Sequence, residues 1–210
     1  VDLGMSPLCE TYLTADELDR MEPFYPVNVR VCERCFLVQL PEHVPPEEIF
    51  SEYAYFSAYS DTWVEHARQY CEAVIERFQL GRETMVVEIA SNDGYLLQHM
   101  VARGIPALGI EPAANVAAAA QRRGVETLVA FFGAALAWRL ASEGTRAHLL
   151  IANNVLSQAP DLHDFASGLK TILAPGGVLT LEFHHLLQLI SQRQFDTIYH
   201  EHFSYFSLRT

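Results

Sequence analysis

The most constraining feature of this sequence is an alternation that begins at Met85 and ends near Phe183. Short apolar runs at residues 85–90, 107–110, 125–129, 148–152 and 178–183 each have the length of a strand. Between them lie stretches with helical spacing: 95–103, an alanine-rich segment ending at Arg123, 134–141, and a segment that Asp161 would cap, with Leu162, Phe165, Leu169 and Leu173 on one face. Gly104 and Gly124 close the first two, and Pro175-Gly176-Gly177 reads as a turn before the last strand. Strands that alternate with helices must run parallel, because each helix carries the chain back across the sheet. The expected fold is α/β: a Rossmann-like, doubly wound, mostly parallel sheet.

Upstream the pattern differs. Residues 1–50 are irregular and proline-rich, and the apolar stretches 27–31 and 36–40 flank Cys32-Glu33-Arg34-Cys35. That reads as a small β-rich, zinc-ribbon-like module. Residues 51–60 are aromatic and lead into Ser60-Asp61-Thr62, a helix-capping signal. A helix is expected from there to about Phe78, since Trp63, Ala67, Tyr70, Val74 and Phe78 recur at helical spacing, with Gly81 ending it. The expected division is a partial zinc-binding module at 1–50, an aromatic segment and linking helix at 51–80, and a cofactor-binding domain at 81–210.

Of the 210 residues half are hydrophobic, which favours a packed core over disorder. The formal net charge is -12 and the basic residues are scattered, so nucleic acid is not the expected partner. No apolar run reaches the length of a membrane span, and no secretory signal is visible. With four cysteines and no disulfide framework, the reducing cytoplasm is the expected compartment. The chain opens on Val1 within what reads as a strand and stops just after another at 206–208, which suggests missing sequence at both ends.

The chemistry concentrates at strand ends, where open α/β sheets bind ligands. The first expected strand turns into its helix through Glu88-Ile89-Ala90-Ser91-Asn92-Asp93-Gly94. Small residues there let a ligand approach the backbone. Glu111-Pro112 ends the second strand, and a carboxylate in that position can accept both ribose hydroxyls. Asn153-Asn154 ends the fourth. A dinucleotide site would show several glycines that bring a pyrophosphate onto a helix N-terminus. This turn has one glycine and two acids, Glu88 and Asp93. Acids repel a pyrophosphate but suit a cofactor with a sulfonium and an ammonium group. The turn read by itself is also compatible with a simple helix cap.

Cys32 and Cys35 supply half of a four-thiolate zinc site. Either the second pair lies upstream of Val1, the favoured reading, or the loop is a vestigial turn. Cys9 and Cys71 read as small hydrophobes. Tyr199-His200-Glu201-His202 follows the fifth strand, and two histidines, a glutamate and nearby tyrosines suit proton transfer. His200 and His202 are expected to share one strand face. Tyr53, Tyr55 and Tyr59 read mainly as packing, with a lid as the functional alternative.

Taken together, these residues resemble the sugar C-methyltransferases, S-adenosylmethionine-dependent enzymes that methylate a carbon beside the ketone of a nucleotide-linked 4-keto-deoxysugar. The resemblance covers essentially the whole chain. It rests on Cys32-x-x-Cys35 with Val38-Gln39-Leu40, Tyr53-x-Tyr55-x-Ser57, Glu88-x-Ala90-Ser91-Asn92-Asp93-Gly94, Gly109-Ile110-Glu111-Pro112, Asn153-Asn154-Val155 and Phe195-Asp196-Thr197-Ile198-Tyr199-His200-Glu201-His202. It implies a class I methyltransferase core behind a zinc-binding N-terminal domain, with a further C-terminal domain absent here. It also implies roles. Glu88, Ala90, Ser91, Asn92, Asp93, Gly94, Glu111, Pro112, Asn153 and Asn154 line the cofactor site, and Cys32 and Cys35 hold structural zinc. His202, oriented by Glu201, is the base that generates an enolate, with Tyr199 and Tyr55 positioning the sugar. Two departures stand out. Ser157-Gln158 occupies the place of an Ala-His pair, and His184 stands where proline is common. The alternatives are an O- or N-methyltransferase of the same fold, or a degenerate module that binds cofactor or partner without turnover. A dehydrogenase is a distant third.

Overall fold

The computed structural model describes all residues from Val1 to Thr210. In chain order the elements are β1 (Asp2–Ser6), β2 (Tyr25–Asn28), β3 (Arg30–Val31), β4 (Val38–Gln39), α1 (Pro46–Phe50), α2 (Asp61–Phe78), β5 (Val86–Ile89), α3 (Leu97–Ala102), β6 (Ala107–Glu111), α4 (Ala114–Arg122), β7 (Glu126–Val129), α5 (Ala134–Ser142), β8 (Ala147–Asn153), α6 (Leu162–Ile172), β9 (Leu173–Glu182), α7 (Leu186–Gln192) and β10 (Ser204–Tyr205). The chain forms two compact units. One comprises Phe50–Asn153 and Asp161–Leu181; the other comprises Val1–Ile49, Asn154–Pro160 and Glu182–Thr210. Within the stretch expected as one domain at 81–210, residues 154–160 and 182–210 group with the first forty-nine.

The larger unit is the expected Rossmann-like sheet, in the order β7-β6-β5-β8-β9. Register is parallel: Glu88 pairs with Gly109 on β6 and with Ile151 on β8, and Glu111 pairs with Val129 on β7. Val86, Val87 and Ile89, with Leu149, Leu150 and Ile151, are all essentially inaccessible. Central parallel strands are covered on both faces, which is why they read as continuous apolar runs. α2 lays Ala67, Cys71 and Val74 into this core, and α3 adds Leu97 and Met100. The Ser60 side chain accepts the Trp63 N–H and starts α2. Gln79, in the left-handed conformation (φ 52°), ends it two residues before Gly81, with the Leu80 N–H on the Ile75 carbonyl.

Pro175-Gly176-Gly177 does not form the expected turn; it lies inside β9. Gly176 takes a left-handed conformation (φ 75°), and a Cβ on Gly177 would stand 2.6 Å from the Ala147 carbonyl oxygen. The two glycines let the strand bend tightly against the start of β8 without ending.

In the smaller unit β1 pairs antiparallel with β2. A second sheet has the order β10-β4-β3. The β3–β4 hairpin carries Cys32 and Cys35 in its loop, and β10 pairs along the other edge of β4 through Tyr205↔Val38 and Ser204↔Gln39. Val27, Leu40, Leu189 and Tyr205 make the core of this unit. Beyond β10, only Phe206 continues the pairing, through a bridge to His185, and residues 207–210 form a turn.

Candidate functional site

The β5 turn owes its shape to three residues with positive φ: Ala90 (54°), Asn92 (49°) and Gly94 (77°). Left-handed alanine and asparagine store local strain, a feature that gathers at ligand-binding turns. Gly94 also lies where a Cβ would be 3.1 Å from both the Ala120 Cβ and the Val125 Cγ2. Gly94→Ala is expected to lower stability by about 1–2 kcal/mol from the backbone alone, read by denaturant unfolding.

The turn is fastened to the end of β6. The Ser91 N–H donates to the Ile110 carbonyl at 3.3 Å. The Glu111 carboxylate accepts the Asn92 N–H on Oε2 and the Ala113 N–H on Oε1, each at 2.9 Å. Glu88, Asp93 and Glu111 are all nearly inaccessible, at 1%, 1% and 4% exposure. Three buried acids therefore sit at the carboxyl ends of neighbouring strands, and only Asp93 has a cationic partner, Arg123, at 3.1 Å. Burial, then Glu111 and Asp93, push the Glu88 carboxyl well above the usual range. Burial raises Glu111 too, against the two backbone N–H groups that favour its charge. Glu88 Oε2, Asp93 Oδ1 and Ser91 Oγ are buried without a hydrogen-bond partner. A cation with its own N–H donors would satisfy such a site, whereas a pyrophosphate would be repelled.

Two residues here were not singled out from the sequence. The Arg123 guanidinium binds the Asp93 carbonyl at 2.7 Å as well as its carboxylate. Asn115 binds the backbone of Tyr53. Both lie on or just after α4, and no spacing rule connects them to their partners. Pro112 is half-buried between Glu111 and Ala113. Asn153, half-buried, ends β8 in the same unit. Asn154 belongs to the other unit and is left-handed (φ 55°). Its N–H donates to the Glu182 carbonyl at 2.7 Å and its Nδ2 to the Glu182 carboxylate at 3.3 Å. Tyr55 is half-exposed, and its carbonyl accepts the Asn92 Nδ2.

The histidine cluster belongs to the smaller unit. His202 is 3% exposed. Its Nδ1 lies 2.9 Å from the Thr197 carbonyl oxygen and its Nε2 lies 3.4 Å from the Tyr199 hydroxyl. A carbonyl only accepts, so Nδ1 carries the proton and Nε2 is the free base. Burial, with the nearby His184, lowers the His202 pKa to about 4 despite the Thr197 bond. The ring is oriented by Thr197, whereas Glu201 Oε1 accepts the Cys9 thiol at 2.9 Å. Cys9 is therefore a hydrogen-bond donor rather than a passive hydrophobe, and burial followed by Glu201 pushes its thiol upward. Residues 199–201 form a turn, so His200 and His202 do not share a strand face. His200 packs edge-on against Tyr25 and His43, and His202 packs against Tyr199 and His184. At the departure Ser157-Gln158, Ser157 is buried and its carbonyl accepts the Phe203 N–H at 2.7 Å.

In the cysteine loop, backbone N–H groups of Cys35 and Arg34, then the Cys35 thiol, bond the Cys32 sulfur and draw its pKa down. That favours a thiolate, as a metal ligand requires. Two sulfurs do not close a tetrahedral site, and no group of three or more His, Cys, Asp or Glu is placed to hold a metal ion. The fit to zinc is therefore partial. No helix is long and apolar enough to cross a membrane.

Residues 1–50 match a family described as "Putative zinc binding domain". The chain is 35% identical over 208 residues to the C-methyltransferase NovU of Streptomyces niveus, across 99% of this chain and 50% of that protein. It thus spans about half the length of that curated relative. In fold it resembles a chain from the Haloferax volcanii complex of the Trm112 methyltransferase activator with a methyltransferase, with TM-score 0.51, 15% identity and coverage of 70% and 67%. Residues 63–210 match the family described as a methyltransferase domain, and with most of its length in that match the chain belongs to the methyltransferase family.

Proposed function

We propose that this chain carries out S-adenosylmethionine-dependent methyl transfer to a carbon α to the ketone of a nucleotide-linked deoxysugar. The observation that carries the reading is the set of three buried carboxylates, Glu88, Asp93 and Glu111, two of which present an unpartnered oxygen. When bound, S-adenosylmethionine supplies an electrophilic methyl group. Asp93 offers negative charge to the cationic end of the cofactor, and Glu88, whose pKa burial raises, gains the same charge by releasing its proton as the cofactor binds. Glu111 keeps a lone pair on each oxygen beyond its two backbone bonds, enough to accept two ribose hydroxyls. Asn153 is assigned to the pocket wall.

Transfer to carbon demands a nucleophile made by removing a proton beside the ketone. His202 is assigned that proton, at Nε2. Its lowered pKa keeps the imidazole neutral and ready at pH 7. Tyr199, whose hydroxyl lies beside Nε2, is assigned to hold the sugar or the enolate oxygen. Roles for Tyr55 and Glu201 rest on the resemblance. The C-methyltransferase relative supports carbon as the acceptor over oxygen or nitrogen. Cys32 and Cys35 are proposed as two ligands of a structural zinc, with no part in the chemistry.

Calorimetric titration with S-adenosylhomocysteine tests the cofactor half of this reading. The chain is expected to bind, and Asp93→Ala and Glu111→Ala are each expected to weaken binding about tenfold or more, the loss of charge-assisted hydrogen bonds. No binding by the folded protein, or equal binding by both variants, overturns it.

A further inference from the structure

Resting on the S-adenosyl reading, we propose that residues 53–58 form a strap that closes the cofactor pocket, with Asn115 as the positioning residue that latches it. The strap is held mainly by side chains. Asn115 Oδ1 accepts the Tyr53 N–H at 3.1 Å, and its Nδ2 donates to the Tyr53 carbonyl at 2.7 Å. Asn92 repeats the pattern: Oδ1 accepts the Ser57 N–H at 2.8 Å, and Nδ2 donates to the Tyr55 carbonyl at 3.1 Å. The Ala58 N–H adds a bond to Asp93 Oδ2 at 3.3 Å. Each carboxamide acts as one rung of a strand partner, offering an acceptor and a donor to an extended backbone.

The supports are the point of the arrangement. Asn92 and Asp93 belong to the cofactor turn itself, and Asn115 stands in the first turn of α4, just beyond Glu111. The Asn92 N–H is also bound by Glu111, the proposed ribose acceptor. Whatever orders the Glu88–Glu111 site therefore orders the anchors of the strap. Its far end is seated: Ser57 is buried, Ala58 packs against the apolar core, and Tyr53 also meets the Phe50 ring. Tyr55 is 50% exposed, and no helix or strand includes residues 51–56. A stretch of irregular backbone tied to a pocket wall by side-chain bonds opens at lower cost than the packed core beside it. Opening lets the cofactor in, and closing slows its escape.

The test is the dissociation rate of S-adenosylhomocysteine, measured by competition, in the full chain and in Asn115→Ala and Asn115→Asp. Asn115→Ala removes both bonds to Tyr53 and is expected to speed release about tenfold. Asn115→Asp keeps the acceptor and loses the donor, so its rate is expected to fall between. Ligand-free unfolding is expected to change little, because Asn115 does not belong to the apolar core. Release at the unaltered rate overturns the latch. Faster release accompanied by a matching loss of ligand-free stability also overturns it, because it makes Asn115 merely structural. A second measurement needs no variant: chymotrypsin cleavage after Tyr53, Tyr55 and Tyr59 is expected to slow when S-adenosylhomocysteine is added, and equal cleavage argues against closure. Binding with unaltered release and cleavage sinks the strap alone, whereas absence of binding sinks both proposals.

Discussion

His202→Asn is expected to lower methyl transfer by about 10²–10⁴-fold while leaving S-adenosylhomocysteine affinity within twofold, the range of a lost general base. The substitution removes Nε2, the imidazole nitrogen that carries no proton once Nδ1 donates to Thr197. The pH profile makes the expectation sharper. A folded pKa near 4 means that acid does not switch the base off at the 6.5 of an ordinary histidine, so the acid limb of kcat/KM is expected near pH 4. The same depression has a cost in stability. The unfolded histidine takes a proton near pH 6.5 and the native one resists, so native stability is lost as pH falls from 6.5 towards 4. The full difference is about 3 kcal/mol. His202→Asn is expected to flatten that part of the unfolding curve. Unchanged turnover, or equal loss of turnover and cofactor affinity, would remove His202 from the base position.

Glu88→Gln is expected to stabilise the ligand-free protein above the carboxylate range, and to weaken binding of S-adenosylmethionine more than of S-adenosylhomocysteine. Glu88 is fully enclosed beside Glu111 and Asp93, with Oε2 unpartnered. Its folded pKa lies above its unfolded one, so the native state keeps a proton that the unfolded chain releases. The stability this proton confers is complete below the ordinary Glu pKa and declines as pH rises through the raised value. Glutamine cannot ionise, so the variant loses that decline, although Glu111, raised in the same direction, retains its own. The sulfonium is the charge that distinguishes the two ligands, and an ionised Glu88 answers it. Titration calorimetry in two buffers of different ionisation enthalpy reads the proton release directly. Identical slopes in wild type and variant would show that Glu88 does not titrate in the native protein.

The sheet and its acids were readable from the sequence for one reason. A parallel strand at the centre of a sheet is largely apolar, and a ligand-binding residue stands near its carboxyl end. Glu88 one position before the end of β5, Asp93 four past it and Glu111 closing β6 all meet that condition. Arg123 and Asn115 stand at no strand end; Arg123 reaches Asp93 of the β5 turn and Asn115 the backbone of Tyr53 only through the folding of the chain around α4. A breaker misled in one place: Pro175-Gly176-Gly177 lies inside a strand, where tertiary packing outweighed local propensity. The linking helix ends where expected, at Phe78, with Gln79 rather than Gly81 in the left-handed cap. The smaller unit was hardest to foresee. Its bonds join residues far apart, as with Cys9 and Glu201, and periodicity within a window carries no trace of such pairs.

That small sheet sets an order on biosynthesis. β4 is made before the cofactor-binding sheet, yet one of its edges waits for β10, which pairs with it through Ser204↔Gln39 and Tyr205↔Val38, 165 and 167 positions later. At ordinary elongation rates the delay is roughly 10–30 s, ample time for the cofactor-binding sheet to form in between. The cysteine hairpin thus spends its early life with an unpaired edge, and the strand that seals it is among the last pieces of this segment to be made.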